Sequence, residues 1–156
     1  MSIKELKKEN EKELLDLMQK LDLYYGESSL NLEEKLKKAK EFIEKKQVWG
    51  YFVQGNMVGY ISIEYFDKNH HNFPSSIFLS ELFVVEDYRK KKIGSKLVKF
   101  VLNLKYPNTF TYFSLTHSPQ EMFLTKYYED LGFKYSGVLK DSGNIALKKV
   151  LGSKRV

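Results

Sequence analysis

The sequence predicts a mixed α/β (α+β) domain, and three observations carry the prediction. The first 45 or so residues repeat apolar positions at helical spacing, and from Val48 the period changes to that of extended chain. In mid-chain an apolar run bounded by charge, Leu82 to Val85, leads through a cationic loop to Ile93, Leu97, Val101 and Leu104, again at helical spacing. Later, aromatic and β-branched runs flank one further helical stretch, so strands and helices share a single core. With 156 residues, one domain over residues 1–156 is expected, and neither a linker nor an internal repeat divides it.

Taken in order, Ile3 and Leu6 suit a short first strand. Leu14, Leu15, Met18, Leu21 and Leu23 are read as the apolar face of a first helix that Tyr24-Tyr25-Gly26 ends. Asn31 is a suitable N-cap for a second helix in which Leu32, Leu36, Ala39, Phe42 and Ile43 are spaced for burial. Its lysines and glutamates read as a solvated face. Val48 to Gln54 and Met57 to Phe66 then form a hairpin around Gly55-Asn56. A polar loop, Asp67 to Ser76, precedes the strand Ile77 to Val85. This loop carries His70 and His71, but no third ligand stands at a recognisable spacing, so no metal is expected.

After the central helix, Tyr106-Pro107-Asn108 is a stop, and Thr109 to Leu115 alternates as a buried strand. Ser118-Pro119-Gln120-Glu121 has the form of a capping box with proline in the first turn, which predicts a helix from there to Gly132. Phe133 to Leu139 and Asn144 to Val150 close the chain as a strand pair around Asp141-Ser142-Gly143.

Composition narrows the function classes. The chain is 42% hydrophobic and 29% charged, which fits a globular protein rather than a disordered or fibrous one. It has no apolar run of membrane-spanning length and no apolar leader behind Met1, so neither anchor nor secretory signal is expected. Without cysteine it can use neither disulfides nor thiolate chemistry, which is compatible with a cytoplasmic location. The net charge of +6 favours anionic partners. A nucleic acid is disfavoured, because the cations gather in one phosphate-sized cluster and no nucleic-acid reading motif is present.

That cluster is Arg89, Lys90, Lys91 and Lys92, placed where a strand turns into a helix. Such a turn offers unpaired backbone N–H groups and the positive end of the helix dipole, a natural seat for a phosphate. Gly94 allows a ligand close to the backbone of the first helical turn. The pattern Arg89-x-x-Lys92-x-Gly94 resembles the pyrophosphate loop of the GNAT superfamily of N-acetyltransferases, Gln/Arg-x-x-Gly-x-Gly/Ala, with Lys92 in place of the first glycine. A second segment, Tyr127-Tyr128-Glu129-Asp130-Leu131-Gly132-Phe133, is similar to the aromatic-Tyr-x-x-x-Gly-Phe segment that follows this loop in the family. In element order the likeness covers Val48 to Phe133.

The resemblance implies a mainly antiparallel twisted sheet with splayed central strands flanked by helices, and acetyl-CoA as cosubstrate without a metal. The acceptor would be a primary amine of a small molecule or peptide, attacking the thioester directly in a ternary complex. Main-chain groups of Val84 and Val85 would hold the pantetheine arm and polarise the thioester. The loop from Arg89 through Lys90, Lys91, Lys92, Ile93 and Gly94 to Ser95 would hold the pyrophosphate, and Tyr128 would protonate the departing sulfur. Glu121 stands where many relatives have an asparagine that holds the pantetheine, so that contact does not carry over. Tyr24 and Tyr25, near the expected acceptor side, and Glu64 are candidate substrate contacts. Glu81 shares a strand face with Phe83 and Val85 and is the candidate base, with Glu64 as the other carboxylate in question. An amine that arrives deprotonated would need no dedicated base. The alternative function is a non-catalytic acyl-CoA sensor or a basic nucleic-acid binder; self-association as a homodimer is left open.

Overall fold

A computed structural model describes residues 2–26, 31–66, 75–107 and 109–151. The histidine loop with His70 and His71, the residues between Gly26 and Asn31, and Asn108 lie outside the described residues. Seven strands form one sheet in the order β1-β2-β3-β4-β5-β7-β6; β1 with β2, β2 with β3, β5 with β7 and β7 with β6 pair antiparallel, and β4 with β5 pair in parallel. The chain forms two compact units, Met1–Ile63 with Ser80–Val101, and Glu64–Leu79 with Leu102–Val156.

The first unit begins with β1 (Ser2–Glu5), whose edge pairs with β2 (Val48–Val53). Leu6 follows the strand rather than ending it: it is buried, and its N–H donates to the Val48 carbonyl. In α1 (Glu11–Tyr24) the buried side chains are Leu14, Leu17 and Met18, with Leu21 packed beside them. Leu23 was expected on this face but is 78% exposed, because nine residues after Leu14 at 100° each bring it to the opposite side. Asn31 does cap α2 (Leu32–Glu44), accepting the Glu34 N–H at 2.8 Å. Ala39 and Phe42 are buried, whereas Leu32, in the first turn, is exposed. Not all of the charged side of α2 is solvated, since Lys35 is buried and ion-paired with Asp22 of α1.

The hairpin from β2 to β3 (Asn56–Phe66) turns on Gln54 and Gly55, with φ of 51° and 82°. Two left-handed residues make the turn that matches the twist of the strands, so Asn56, expected in the turn, already pairs with Val53. Leu6, Leu14, Met18, Phe42, Tyr60 and Phe83 belong to the core that these elements enclose. In β3 the absence of a side chain at Gly59 matters, because a Cβ there would stand 3.0 Å from the Phe83 carbonyl of β4 (Ser76–Val84). The central helix α3 (Ile93–Leu102) buries Ile93, Leu97, Val98 and Val101; Leu104, expected to extend the face, lies beyond its end.

In the second unit, residues Ser76–Phe78 of β4 pair with Tyr112–Ser114 of β5 (Tyr112–His117), and Ser76 and Ser114 share a buried hydroxyl contact at 2.9 Å. Strand β5 starts three residues later than expected and continues to His117. It pairs along its length with β7 (Ile145–Val150), which in turn pairs with β6 (Lys134–Val138). Helix α4 (Phe123–Asp130) starts later than the capping pattern predicts. Ser118 Oγ accepts the Gln120 N–H and its carbonyl accepts the Glu121 N–H, so these residues close a turn and leave Met122 and Phe123 exposed at the helix start. At the other end Gly132, at φ 99°, stops the helix as expected. Among the described residues no helix is long and apolar enough to cross a membrane.

Candidate active site

Strand β4 delivers its last residues to the cationic loop. Glu81, Phe83 and Val85 share a face as the alternation of a strand requires: Phe83 is buried in the core and Val85 packs against that same cluster. The Val85 N–H donates to the Val58 carbonyl at 2.9 Å, so that group is occupied by β3. Alternation turns the main-chain groups of Val84 the other way, where Arg89 Nε donates to its carbonyl at 2.7 Å. Of the main-chain groups expected to hold the pantetheine arm, the Val85 N–H and the Val84 carbonyl are thus engaged within the protein.

The Arg89 guanidinium also lies 4.5 Å from the ring centroid of Tyr24 and 5.3 Å from that of Phe83. It is thus held by strand, core and the end of α1 together. Tyr24 and Tyr25 are both exposed and meet edge to face at 5.0 Å. Beyond Arg89 the backbone at Lys90 and Lys92 is left-handed, with φ of 63° and 64°. Helical angles at Lys92 would have made its replacement of glycine unremarked, but the left-handed angle explains why glycine suits the position. Gly94 is under no such demand, because a Cβ there would meet nothing nearer than 3.9 Å. Lys90, Lys91 and Lys92 are exposed. The first turn of α3 is tied by the Lys96 N–H to the Lys92 carbonyl, which leaves the N–H groups of Ile93, Gly94 and Ser95 without an acceptor inside the helix.

Glu81 is engaged on both oxygens. Oε1 accepts the Tyr60 hydroxyl at 2.7 Å, and Oε2 pairs with Lys38 Nζ of α2 at 2.9 Å. Tyr60 is fully buried, and burial, then the Glu81 charge and its hydrogen bond, push the phenol well above its ordinary value. Tyr60 is the donor in this contact, its hydroxyl directed to the Glu81 carboxylate. Burial holds Lys35 below its usual range, with Glu81 opposing that shift and Lys38 adding to it. Neither Tyr60 nor Lys38 was legible as a site residue: one lies in an apolar strand run, the other among the lysines of a helix, and only the fold joins them to Glu81.

In the second unit, Glu64 is half-buried on β3, Glu121 is half-buried before α4, and Tyr128 is buried on α4. The Tyr128 ring packs edge to face with Phe133 at 5.7 Å and with Tyr127 at 5.0 Å. Tyr127, Tyr128 and Phe133 of the sequence segment thus form one aromatic group. The sequence reading passed over His117, which is buried and bonded through both ring nitrogens, to the Ser118 carbonyl and to Thr125 Oγ1, each at 2.8 Å. A lone histidine ending a strand just before a Ser-Pro turn was its only signal. Among the described residues no three histidine, cysteine or acidic side chains gather as a metal site would require.

A strand that runs into a cationic, left-handed loop at a helix N-terminus, within a mixed α/β sheet, is a place suited to an anionic group such as a phosphate. The family model described as acetyltransferase (GNAT) domain matches residues 44–135, more than half of the chain, and the chain belongs to the GNAT family. No curated protein matches the sequence. Among solved structures, the PaiA N-acetyltransferase of Thermoplasma acidophilum, in complex with coenzyme A, superposes with a TM-score of 0.70 at 16% identity over 96% of this chain and 98% of that one. An aminoglycoside 6'-N-acetyltransferase complexed with coenzyme A gives 0.69 at 18% identity over 97% and 98%. Arabidopsis thaliana Naa50, in complex with the bisubstrate analogue CoA-Ac-MVNAL, gives 0.70 at 18% over 95% and 97%. At these identities the likeness is one of fold.

Proposed function

We propose that residues 1–156 act as one catalytic domain, an acetyl-CoA-dependent N-acetyltransferase that modifies a primary amine of a small molecule or peptide. The observation that carries the reading is the loop from Arg89 to Ser95, which gathers into one short segment three exposed lysines and three helix N–H groups that have no acceptor inside the helix. Ile93, Gly94 and Ser95 would bind the pyrophosphate through those N–H groups, with the lysines adding charge. The Val84 N–H would take a pantetheine or thioester carbonyl.

In the reaction the amine lone pair attacks the thioester carbon, the C–S bond breaks, and the thiolate takes a proton from the Tyr128 hydroxyl. The amine's proton leaves to Glu81, directly or through water. Because Lys38 already pairs with Glu81, an ammonium acceptor would compete with Lys38 for the carboxylate. Tyr24, exposed beside the loop's arginine, its neighbour Tyr25, and Glu64 are the remaining candidate acceptor contacts. Coenzyme A titrated into the protein should raise the melting temperature, by less as salt increases, and a panel of amines with acetyl-CoA should release free thiol. An unmoved melting temperature at saturating coenzyme A would remove the reading. A shift with short oligonucleotides but not with coenzyme A would replace it by nucleic-acid binding.

A further inference from the structure

Helix α4 has only eight residues and lacks a side-chain cap, since Met122 occupies the N-cap position and contributes no hydrogen bond. A helix this short has little stability of its own, so its placement depends on what holds it. One tether is the buried ring of His117. The Ser118 carbonyl can only accept, so Nδ1 carries the proton there. In the neutral ring Nε2 is then an acceptor, and the Thr125 hydroxyl is its donor at 2.8 Å. Protonating the ring would reverse that one bond without breaking it, because a hydroxyl also accepts. The tether therefore works in either charge state.

Thr125 and Tyr128 are three residues apart on α4 and so share a helix face, the face turned to the interior at Tyr128. The Phe133 ring fixes the aromatic body of Tyr128 from beyond the helix. His117 fixes the helix one turn earlier, from the end of β5. We propose that His117 and Thr125 are positioning residues for the reaction: their hydrogen bond sets the depth and rotation of α4 and thereby the place of the Tyr128 hydroxyl. This rests on the reading of Tyr128 as the acid that protonates the leaving thiolate. It assigns work to two side chains outside the family's sequence segment.

Thr125→Val keeps the shape of the side chain and removes the hydroxyl, and Thr125→Ser restores the hydroxyl. Both are compared with wild type, Tyr128→Phe and the Thr125→Val/Tyr128→Phe double variant by thiol release at saturating acetyl-CoA with the best amine of the screen. Misplacing an acid is expected to lower turnover at least about fivefold in Thr125→Val, with the KM for acetyl-CoA unchanged and Thr125→Ser near wild type. In the Tyr128→Phe background the same change should cost nothing further, because there is no hydroxyl left to place. Wild-type turnover in Thr125→Val, even with a lowered melting temperature, would make the tether merely structural and overturn the proposal. So would losses that multiply in the double variant. If Tyr128→Phe itself turns over like wild type, the acid assignment fails first and takes the proposal with it, a result distinct from the other two.

Discussion

Arg89 Nε and the Val84 carbonyl are 2.7 Å apart, so the side chain that opens the cationic loop reaches back to hold the strand that leads into it. The guanidinium does this while lying against Tyr24 and Phe83, which uses its planarity as well as its charge. Arg89→Lys should therefore behave as a loss and not as a conservative change. Both Arg89→Lys and Arg89→Ala are expected to weaken coenzyme A binding by roughly tenfold or more in calorimetric titration, since a charge-assisted hydrogen bond is worth about 1.5–3 kcal/mol. Wild-type affinity in Arg89→Lys would show that charge alone is what the site takes from this position.

Lys92 can be tested by a reversal of the usual order of two substitutions. Alanine and glycine both remove its charge, but only glycine is at ease at φ 64°. At an ordinary loop position alanine stabilises over glycine by about 0.4–1 kcal/mol through the unfolded chain. Here the left-handed backbone costs an alanine roughly 1–2 kcal/mol, so Lys92→Gly should be the more stable variant by urea denaturation. Should Lys92→Ala prove the more stable, the loop does not hold this conformation in solution.

The same loop shows what a sequence can and cannot reveal. Its place between a strand and a helix was legible because Leu82 to Val85 and Ile93 to Val101 have clear periods, and the hairpin at Gly55 and the Asn31 cap were legible because each is set by residues adjacent in the chain. Boundaries failed where one local pattern competed with another: Ser118 has the residues of a capping box, yet its hydroxyl takes the Gln120 N–H and its carbonyl takes the Glu121 N–H and the neighbouring His117 ring. Partners were beyond reach altogether. Glu81 stood out as a strand carboxylate, but nothing in the chain joins it to Lys38, forty-three residues earlier, or to Tyr60. Left-handed angles at Lys90 and Lys92 were equally hidden, since lysine gives no sign of them.

For Glu81, the ion pair with Lys38 separates two roles by opposite signs. If the carboxylate receives the acceptor's proton, Glu81→Gln should lower turnover most at acidic pH, where free amine is scarce, and less as pH approaches the pKa of the amine. Lys38→Met should instead lower the KM for a cationic acceptor, because the ammonium no longer competes with a resident one. A pH profile for Glu81→Gln parallel to that of wild type would leave Glu81 a structural partner of Lys38 and Tyr60. An unchanged acceptor KM in Lys38→Met would place the amine elsewhere.

Tyr60 predicts how the fold fails at high pH. Its phenol is held well above the ordinary value near 10, first by burial and then by the Glu81 carboxylate it donates to. Once pH passes 10 the unfolded chain releases this proton while the folded chain keeps it. The stabilisation is thus complete below about pH 10 and is lost above it, at up to about 1.4 kcal/mol per pH unit for one such group. Burial also raises Tyr65 and Tyr106, which act in the same direction. Tyr60→Phe leaves the Glu81 carboxylate without its buried donor, so the variant should be less stable than wild type by about 1–3 kcal/mol at pH 8. It has no proton to lose at this position. The difference between wild type and variant, measured by urea denaturation, should therefore shrink between pH 10 and 11.5, while a difference that stays constant over that range would mean that the Tyr60 hydroxyl ionises in the folded protein as readily as in the unfolded chain.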